Sequence, residues 1–267
     1  MKIIAFYLFC LFGILFCPHK VSSQMKKDFK VYNALLYKNT PDLSKYGFSS
    51  INVIYEDGVI TTNSNYKRGE FNWRYIDSKK VLKESLKSKN ENIPVVLDVE
   101  YWGHLLAMEP TKTNKNAEDT FVTLLNLYRE IDNKSKVAIF HYGVVSKRIN
   151  NAANVVFPSF YTHSSSRQEW VSMIRYWLDN LKKMGNKNPI YVFIWPQYNP
   201  QPGLTNLGFK FIDSNFWRFQ LETLYPLCDG IVIWSHKVDE NGKEIYFNEK
   251  MPWFQETLKF MKKYNIK

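Results

Sequence analysis

Ile93-Pro94-Val95-Val96-Leu97-Asp98-Val99-Glu100-Tyr101-Trp102 is an apolar run that stops abruptly on two acids, one residue apart. An almost continuous stretch of apolar, β-branched residues of this length reads as a strand covered on both faces, and so as part of a parallel sheet. Residues i and i+2 of a strand point to one side, about 6–7 Å apart. Asp98 and Glu100 are therefore expected to lean together at the strand's C-terminal end, while Val99 faces the opposite layer.

Six further runs of the same kind lie on either side: Val31–Tyr37, Ile51–Tyr55, Val137–Tyr142, Val155–Tyr161, Ile190–Trp195 and Gly230–Trp234. Amphipathic stretches separate them. Phe121, Leu124, Leu125 and Tyr128 recur at helical spacing, as do Trp170, Met173, Ile174, Trp177, Leu178 and Leu181, and Trp217, Leu221, Leu224 and Tyr225. Asp213 and Ser214 suit the N-terminus of the last of these helices. A final helix is expected to start near Pro252 and to bury Phe254, Leu258 and Met261. Strand-helix alternation along the chain means βαβ units and an α/β fold. Seven strands in a chain of this length suit a single TIM-like (β/α) barrel, distorted to about seven strands. An open doubly wound sheet is the alternative. With no linker, repeat or low-complexity tract, residues 24–267 are expected to form one domain.

Residues 1–23 stand apart. Lys2 precedes an apolar run from Ile3 to Cys17, and the segment closes on Val21-Ser22-Ser23 before Gln24. This is the pattern of a secretory signal peptide, with a retained anchoring helix as the alternative. Export would place the protein in a secreted, periplasmic or extracellular setting. No internal run reaches the roughly 18 apolar residues of a membrane span, so no stable membrane insertion is expected after the signal is removed. Cys10 and Cys17 fall within the signal, which leaves Cys228 unable to form an internal disulfide and reads it as a buried hydrophobe. Lys2 and Lys20 also fall within it, so the remainder carries 34 basic against 25 acidic residues, a net +9. Such an excess attracts polyanions, yet much of it sits on helical stretches such as Lys79, Lys80, Lys83, Lys87 and Lys89, where a solvated face is equally reasonable.

Several chemistries are disfavoured. The chain has no Gly-x-Gly-x-x-Gly or phosphate loop for a nucleotide, and no Gly-x-Ser-x-Gly elbow. His19, His104, His141, His163 and His236 lack metal-ligand spacing. No cofactor and no metal are expected. Paired carboxylates, by contrast, repel each other, so one stays protonated and can act as an acid, which glycosidic cleavage requires. The other strand ends are aromatic: Phe140-His141-Tyr142, Ser159-Phe160-Tyr161, Phe193-Ile194-Trp195-Pro196-Gln197-Tyr198 and Ile233-Trp234. Rings gathered at a barrel mouth make flat apolar platforms for sugars. Trp102, Trp195 and Tyr198 are candidate platform residues. A polysaccharide is the expected partner, an acidic glycosaminoglycan among the candidates, and no nucleic acid. Glu56 and Asp57, which lead into Gly58, read as turn residues, with a place in the lining of the cleft as the lesser alternative.

Taken in order, these pieces resemble the animal-type hyaluronidase family of glycoside hydrolases. The family's Asp-x-Glu after the third strand corresponds to Asp98-Val99-Glu100, its Pro-Ser-x-Tyr to Pro158-Ser159-Phe160-Tyr161, and its last strand to Asp229-Gly230-Ile231-Val232-Ile233-Trp234-Ser235. The resemblance implies a retaining, endo-acting, substrate-assisted hydrolase of N-acetylhexosamine-containing glycans, hyaluronan or chondroitin among them. Its nucleophile would be the substrate's own acetamide oxygen. Glu100 would serve as acid and then base, and Asp98 would orient the acetamide N–H. Tyr161 would hold the acetamide oxygen, Tyr142 would offer a second hydroxyl and Trp234 would wall the pocket. The chain departs from the family in lacking its disulfide cysteines and in carrying Ser235 where the family has glycine. Two rivals share the same residues: a catalytically silent glycan-binding barrel, and a hydrolase that uses Asp98 and Glu100 conventionally.

Overall fold

The computed structural model describes residues 27–61, 75–100, 115–142, 145–200 and 206–267. The expected signal peptide and Trp102 lie outside them. The described residues hold eight strand segments: β1 (Lys30–Ala34), β2 (Ser49–Ser50), β3 (Asn52–Tyr55), β4 (Val95–Asp98), β5 (Val137–His141), β6 (Phe157–Pro158), β7 (Tyr191–Ile194) and β8 (Gly230–Trp234). Every pairing between them is parallel. They form two four-stranded arcs, ordered β2-β1-β8-β7 and β3-β4-β5-β6. The arcs meet at two places. Parallel bridges Val156↔Ile190, Ser159↔Phe193 and Thr162↔Tyr198 tie the β6 segment to β7. At the other seam β2 and β3 are one strand interrupted at Ile51, pairing first with β1 and then with β4. The result is an α/β barrel with seven strand positions, as the alternation of runs implies.

β1 and β6 fall furthest short of the ends of their apolar runs, for identifiable reasons. Pro158 has no N–H to give to a ladder, so β6 is brief and the rest of its run is held by isolated bridges. β1 stops at Ala34 because side chains intercept the next backbone donors. Asn33 Oδ1 accepts the Leu35 N–H at 3.1 Å, and Ser235 Oγ accepts the Leu36 N–H at 2.7 Å. Ser235 is fully buried, so its hydroxyl serves a structural role here. Gly230 is required by close approach: a Cβ there would lie 2.7 Å from the Lys30 carbonyl oxygen.

Six described helices cover the strands: α1 (Ser78–Glu91), α2 (Lys115–Ile131), α3 (Lys147–Ala152), α4 (Arg167–Lys183), α5 (Ser214–Leu224) and α6 (Pro252–Tyr264). Their starts follow capping chemistry. Asp77, Ser146, Ser166 and Asp213 each accept first-turn N–H groups, and Pro252 opens α6. α2 buries Phe121, Leu124, Leu125 and Tyr128, and α4 buries Trp170, Ile174, Trp177 and Leu181. Each such side chain, fully buried, contributes about 1.5–3 kcal/mol. Cys228 is buried too, and burial pushes its thiol up to about 12.

Aromatic rings fill the barrel from floor to mouth. Tyr32 meets Tyr191 at 5.0 Å between centroids, Tyr191 meets Phe157 at 6.1 Å, and Phe157 meets Phe193 at 6.0 Å. Phe193 meets Phe140 at 5.1 Å, and Phe140 meets Tyr161 at 6.2 Å. The interior is a packed core up to the strand ends, so any reacting group must stand at the mouth.

Candidate functional site

β4 delivers Asp98 to that mouth, level with Tyr55 of the neighbouring strand. The strand ends there. Glu100 falls beyond it on helical backbone and is exposed, whereas Asp98 is 8% exposed. The two acids are therefore not an i, i+2 pair of one strand, as the run suggests. Chain exit at Asp98 instead gives them unlike surroundings. Asp98 Oδ1 is buried and has no hydrogen-bond partner among the described residues. Burial, then the charges of Glu100 and Glu56, push its carboxyl well above the ordinary carboxylate range.

Glu56 belongs to this group. It opens the short turn Glu56–Gly58, as the Glu-Asp-Gly stretch implies, but its Oε1 also accepts the Glu100 N–H at 3.1 Å. This fixes the start of the segment that carries Glu100. Tyr142 Oη donates to Glu100 Oε1 at 3.4 Å, a long bond. The Tyr142 residue is 45% exposed, but its hydroxyl end sits against the acids. Burial of that end, then Glu100 and Asp98, raise its phenol pKa.

Rings form the opposite wall. Trp234 stacks on Tyr161 with centroids 5.8 Å apart and planes at 27°. Its Nε1–H donates to Tyr55 Oη at 3.3 Å, which sets the ring's rotation. Trp195 stands edge-on to Trp234 at 4.9 Å and to Tyr161 at 5.5 Å. Gln197, fully buried, holds Trp195: its Oε1 accepts the indole N–H at 2.9 Å. Gln197 Nε2 in turn donates to the carbonyls of Phe209 and Val238 at 2.7 and 3.2 Å. Tyr161 is 3% exposed, and burial raises its phenol pKa strongly. Tyr161 and Trp195 thus form the floor of the mouth rather than an open platform.

The structure gathers Asp98, Glu100, Tyr142, Tyr161, Trp195 and Trp234 into one region. It does not bring Tyr198 there. Along the β7 segment Tyr191, Phe193, Trp195 and Gln197 face inward, and the two-residue period turns Tyr198 outward into the cluster of Phe160, Ile194 and Ile212. Its phenol feels Asp213, not Asp98. The period also identifies Phe160 and His141 as outward residues, and His141 packs on Trp177 at 5.2 Å. Sequence reasoning missed Tyr55 and held a cleft position for Glu56 only as the lesser alternative to a turn, although one signal was present: both stand at the end of the run preceding the Asp98 strand. No group of three or more His, Cys, Asp or Glu side chains is placed to share a metal ion among the described residues. A cavity of about 160 Å³ lined by His163, Glu169, Trp170 and Met173 reaches Tyr161 from another side, and touches neither carboxylate.

No family model and no curated protein matches this chain. Solved structures do match in fold. Bee venom hyaluronidase in complex with a hyaluronic acid tetramer aligns with a TM-score of 0.56 at 12% identity, over 89% of this chain and 96% of that one. A Cellulomonas fimi endo-β-1,4-mannanase double mutant aligns at 0.51 with 10% identity, over 82% and 55%. Apo endo-β-N-acetylglucosaminidase from Cordyceps militaris aligns at 0.50 with 9% identity, over 87% and 80%. At such identities the likeness is one of architecture, and it establishes for this chain the α/β barrel fold that those proteins have.

Proposed function

We propose that the protein is an exported glycoside hydrolase that cleaves glycans containing N-acetylhexosamine, within the chain and with retention, by substrate-assisted catalysis. One observation carries the reading: a buried carboxyl with an unpartnered oxygen, Asp98, stands beside an exposed one, Glu100, at the mouth that the Tyr161–Trp234 stack also lines. Two carboxyls in unlike environments divide acid and base roles. Burial raises the Asp98 pKa and so favours the protonated form on that side. The charge of Glu100 also opposes ionisation of Asp98. An acetamide N–H arriving at Asp98 Oδ1 favours the ionised form and moves its proton toward Glu100. Glu100 then gives it to the leaving glycosidic oxygen while the acetamide oxygen attacks the anomeric carbon. The ionised Asp98 steadies the resulting oxazolinium. Water, deprotonated by Glu100, opens that ring and restores the starting state.

Tyr161 and Tyr142 supply hydroxyls for the acetamide oxygen, and Trp234 provides the apolar wall for the acetyl methyl and sugar face. A reducing-end assay across hyaluronan, chondroitin and chitin oligosaccharides tests the reading. Glu100→Gln is expected to lower turnover by about 10²–10⁴ while substrate still binds. Retained cleavage in that variant would remove Glu100 from its role, and a wild type that binds but never cleaves would leave only a glycan-binding barrel.

A further inference from the structure

His236 follows Trp234 by two residues, the spacing at which side chains along a strand share a side, and its ring lies against the same wall. Its centroid is 6.2 Å from that of Trp234 and 6.2 Å from that of Trp195. Phe209, from the loop before α5, stands 5.0 Å from it with planes at 47°. Both His236 and Phe209 are half-buried. The indole wall of the mouth is therefore continued by two more rings, one of which carries polar atoms.

The backbone decides which nitrogen of that ring does what. Val238 N–H donates to His236 Nδ1 at 3.3 Å, and a neutral imidazole that accepts at Nδ1 carries its proton on Nε2. Burial holds the ring below the ordinary histidine pKa, which keeps it neutral near pH 7. Nε2–H donates to no described residue, and it is not among the polar atoms sealed from solvent. A ligand at the mouth can reach it.

Gln197 fixes the frame around this donor. Its Oε1 holds the Trp195 indole, and its Nε2 donates to the carbonyls of Phe209 and Val238 at 2.7 and 3.2 Å. One fully buried amide thus ties together a wall residue, the Phe209 loop and the turn that sets the His236 tautomer. Phe209 is held at φ 62°, in the left-handed region that a bulky residue avoids, and its N–H donates to the Tyr198 carbonyl at 2.8 Å. Strain of this kind persists only where the surroundings impose it, and it gathers at binding sites.

Half-exposed rings with one aimed donor suit a sugar, whose C–H faces pack on rings and whose oxygens accept hydrogen bonds. We propose that His236 and Phe209 form a second sugar subsite at the mouth, where His236 Nε2–H donates to an oxygen of the glycan unit next to the one held against Trp234. That this glycan is the one cleaved at Asp98 and Glu100 rests on the hydrolase reading above.

Isothermal titration of the Glu100→Gln protein with a β-1,4-linked N-acetylglucosamine hexamer tests it, with two substitutions that separate the ring nitrogens. His236→Asn keeps an acceptor where Nδ1 meets Val238 and leaves nothing at the Nε2 position. His236→Gln reaches the Nε2 position with an N–H and gives up the Nδ1 acceptor. The asparagine change is expected to raise the hexamer Kd about fivefold, the worth of one neutral hydrogen bond, and the glutamine change to leave it within about twofold. Asparagine binding within about twofold of the parent, glutamine binding as weakly as asparagine, or no hexamer binding by the parent overturns the subsite. Cleavage of the hexamer by the wild type is read separately. An inactive wild type whose Glu100→Gln form loses affinity through His236→Asn overturns the hydrolase reading and keeps the subsite. An active wild type whose KM is unchanged by His236→Asn overturns the subsite alone.

Discussion

Replacing Asp98 by asparagine is expected to stabilise the protein at neutral pH while abolishing most turnover. An unfolded aspartate ionises near pH 3.9, and the native carboxyl ionises well above that, first because it is buried and then because Glu100 and Glu56 stand near. Between those two pKa values the native state holds a proton that the unfolded chain has lost. Stability therefore falls with rising pH, by about 1.4 kcal/mol for each unit of the interval. Below the unfolded pKa the penalty is absent, and above the native pKa it is complete. Asparagine has nearly the same shape and cannot ionise, so the variant escapes the penalty. Its advantage should be near zero at pH 3, grow through the mildly acidic range and level off once the native carboxyl is ionised. In a chain of this size each kcal/mol moves the melting temperature by about 2–4 °C. Urea unfolding followed by circular dichroism from pH 3 to 8 measures the gap directly. Equal stabilities at pH 7, or an advantage that is largest in acid, would refute the assignment of Asp98 as a carboxyl whose ionisation the fold opposes.

Asp132 supplies a control of opposite sign. Burial opposes its ionisation, but the N–H of Ser135 at 3.0 Å and the Ser88 hydroxyl at 2.5 Å more than offset this and lower its pKa. Asp132→Asn should thus cost about 1.5–3 kcal/mol at neutral pH, a difference that closes as pH falls through the folded pKa in the same urea series. Gly230→Ala should cost about 1–3 kcal/mol, because the added methyl meets the Lys30 carbonyl backbone and the Tyr191 ring; a shift in the urea midpoint reads it. Trp234→Phe removes the bond to Tyr55 Oη and part of the stack on Tyr161. About 1 kcal/mol of lost sugar binding, roughly five- to tenfold in KM, is expected in steady-state kinetics, with kcat less affected.

Much of the architecture was legible because its signals are local. Apolar runs bounded by turn residues mark the strands, and residues three and four apart mark the buried faces of α2 and α4. Asp213 announces α5 by capping chemistry alone. The adjacency of Asp98 and Glu100 was legible too, since two residues so close in sequence cannot be far apart in space. Tyr198 was misplaced by reading its strand end as one aromatic block, when the two-residue period from Tyr191 already separates it from Trp195.

What no local pattern contains is which groups different strands bring face to face. The sequence by itself determined that the chain alternates strand and helix, that an acidic pair closes one apolar run and that rings close others. Only tertiary structure decided that Glu56 reaches across to the Glu100 backbone, that Tyr55 orients Trp234 from a position 179 residues away, and that Asp98 rather than Glu100 is enclosed. Those outcomes depend on strand register and on where the chain leaves the sheet. Both are settled by the packing of the whole barrel, in which side chains far apart in sequence exclude water from the same few ångströms.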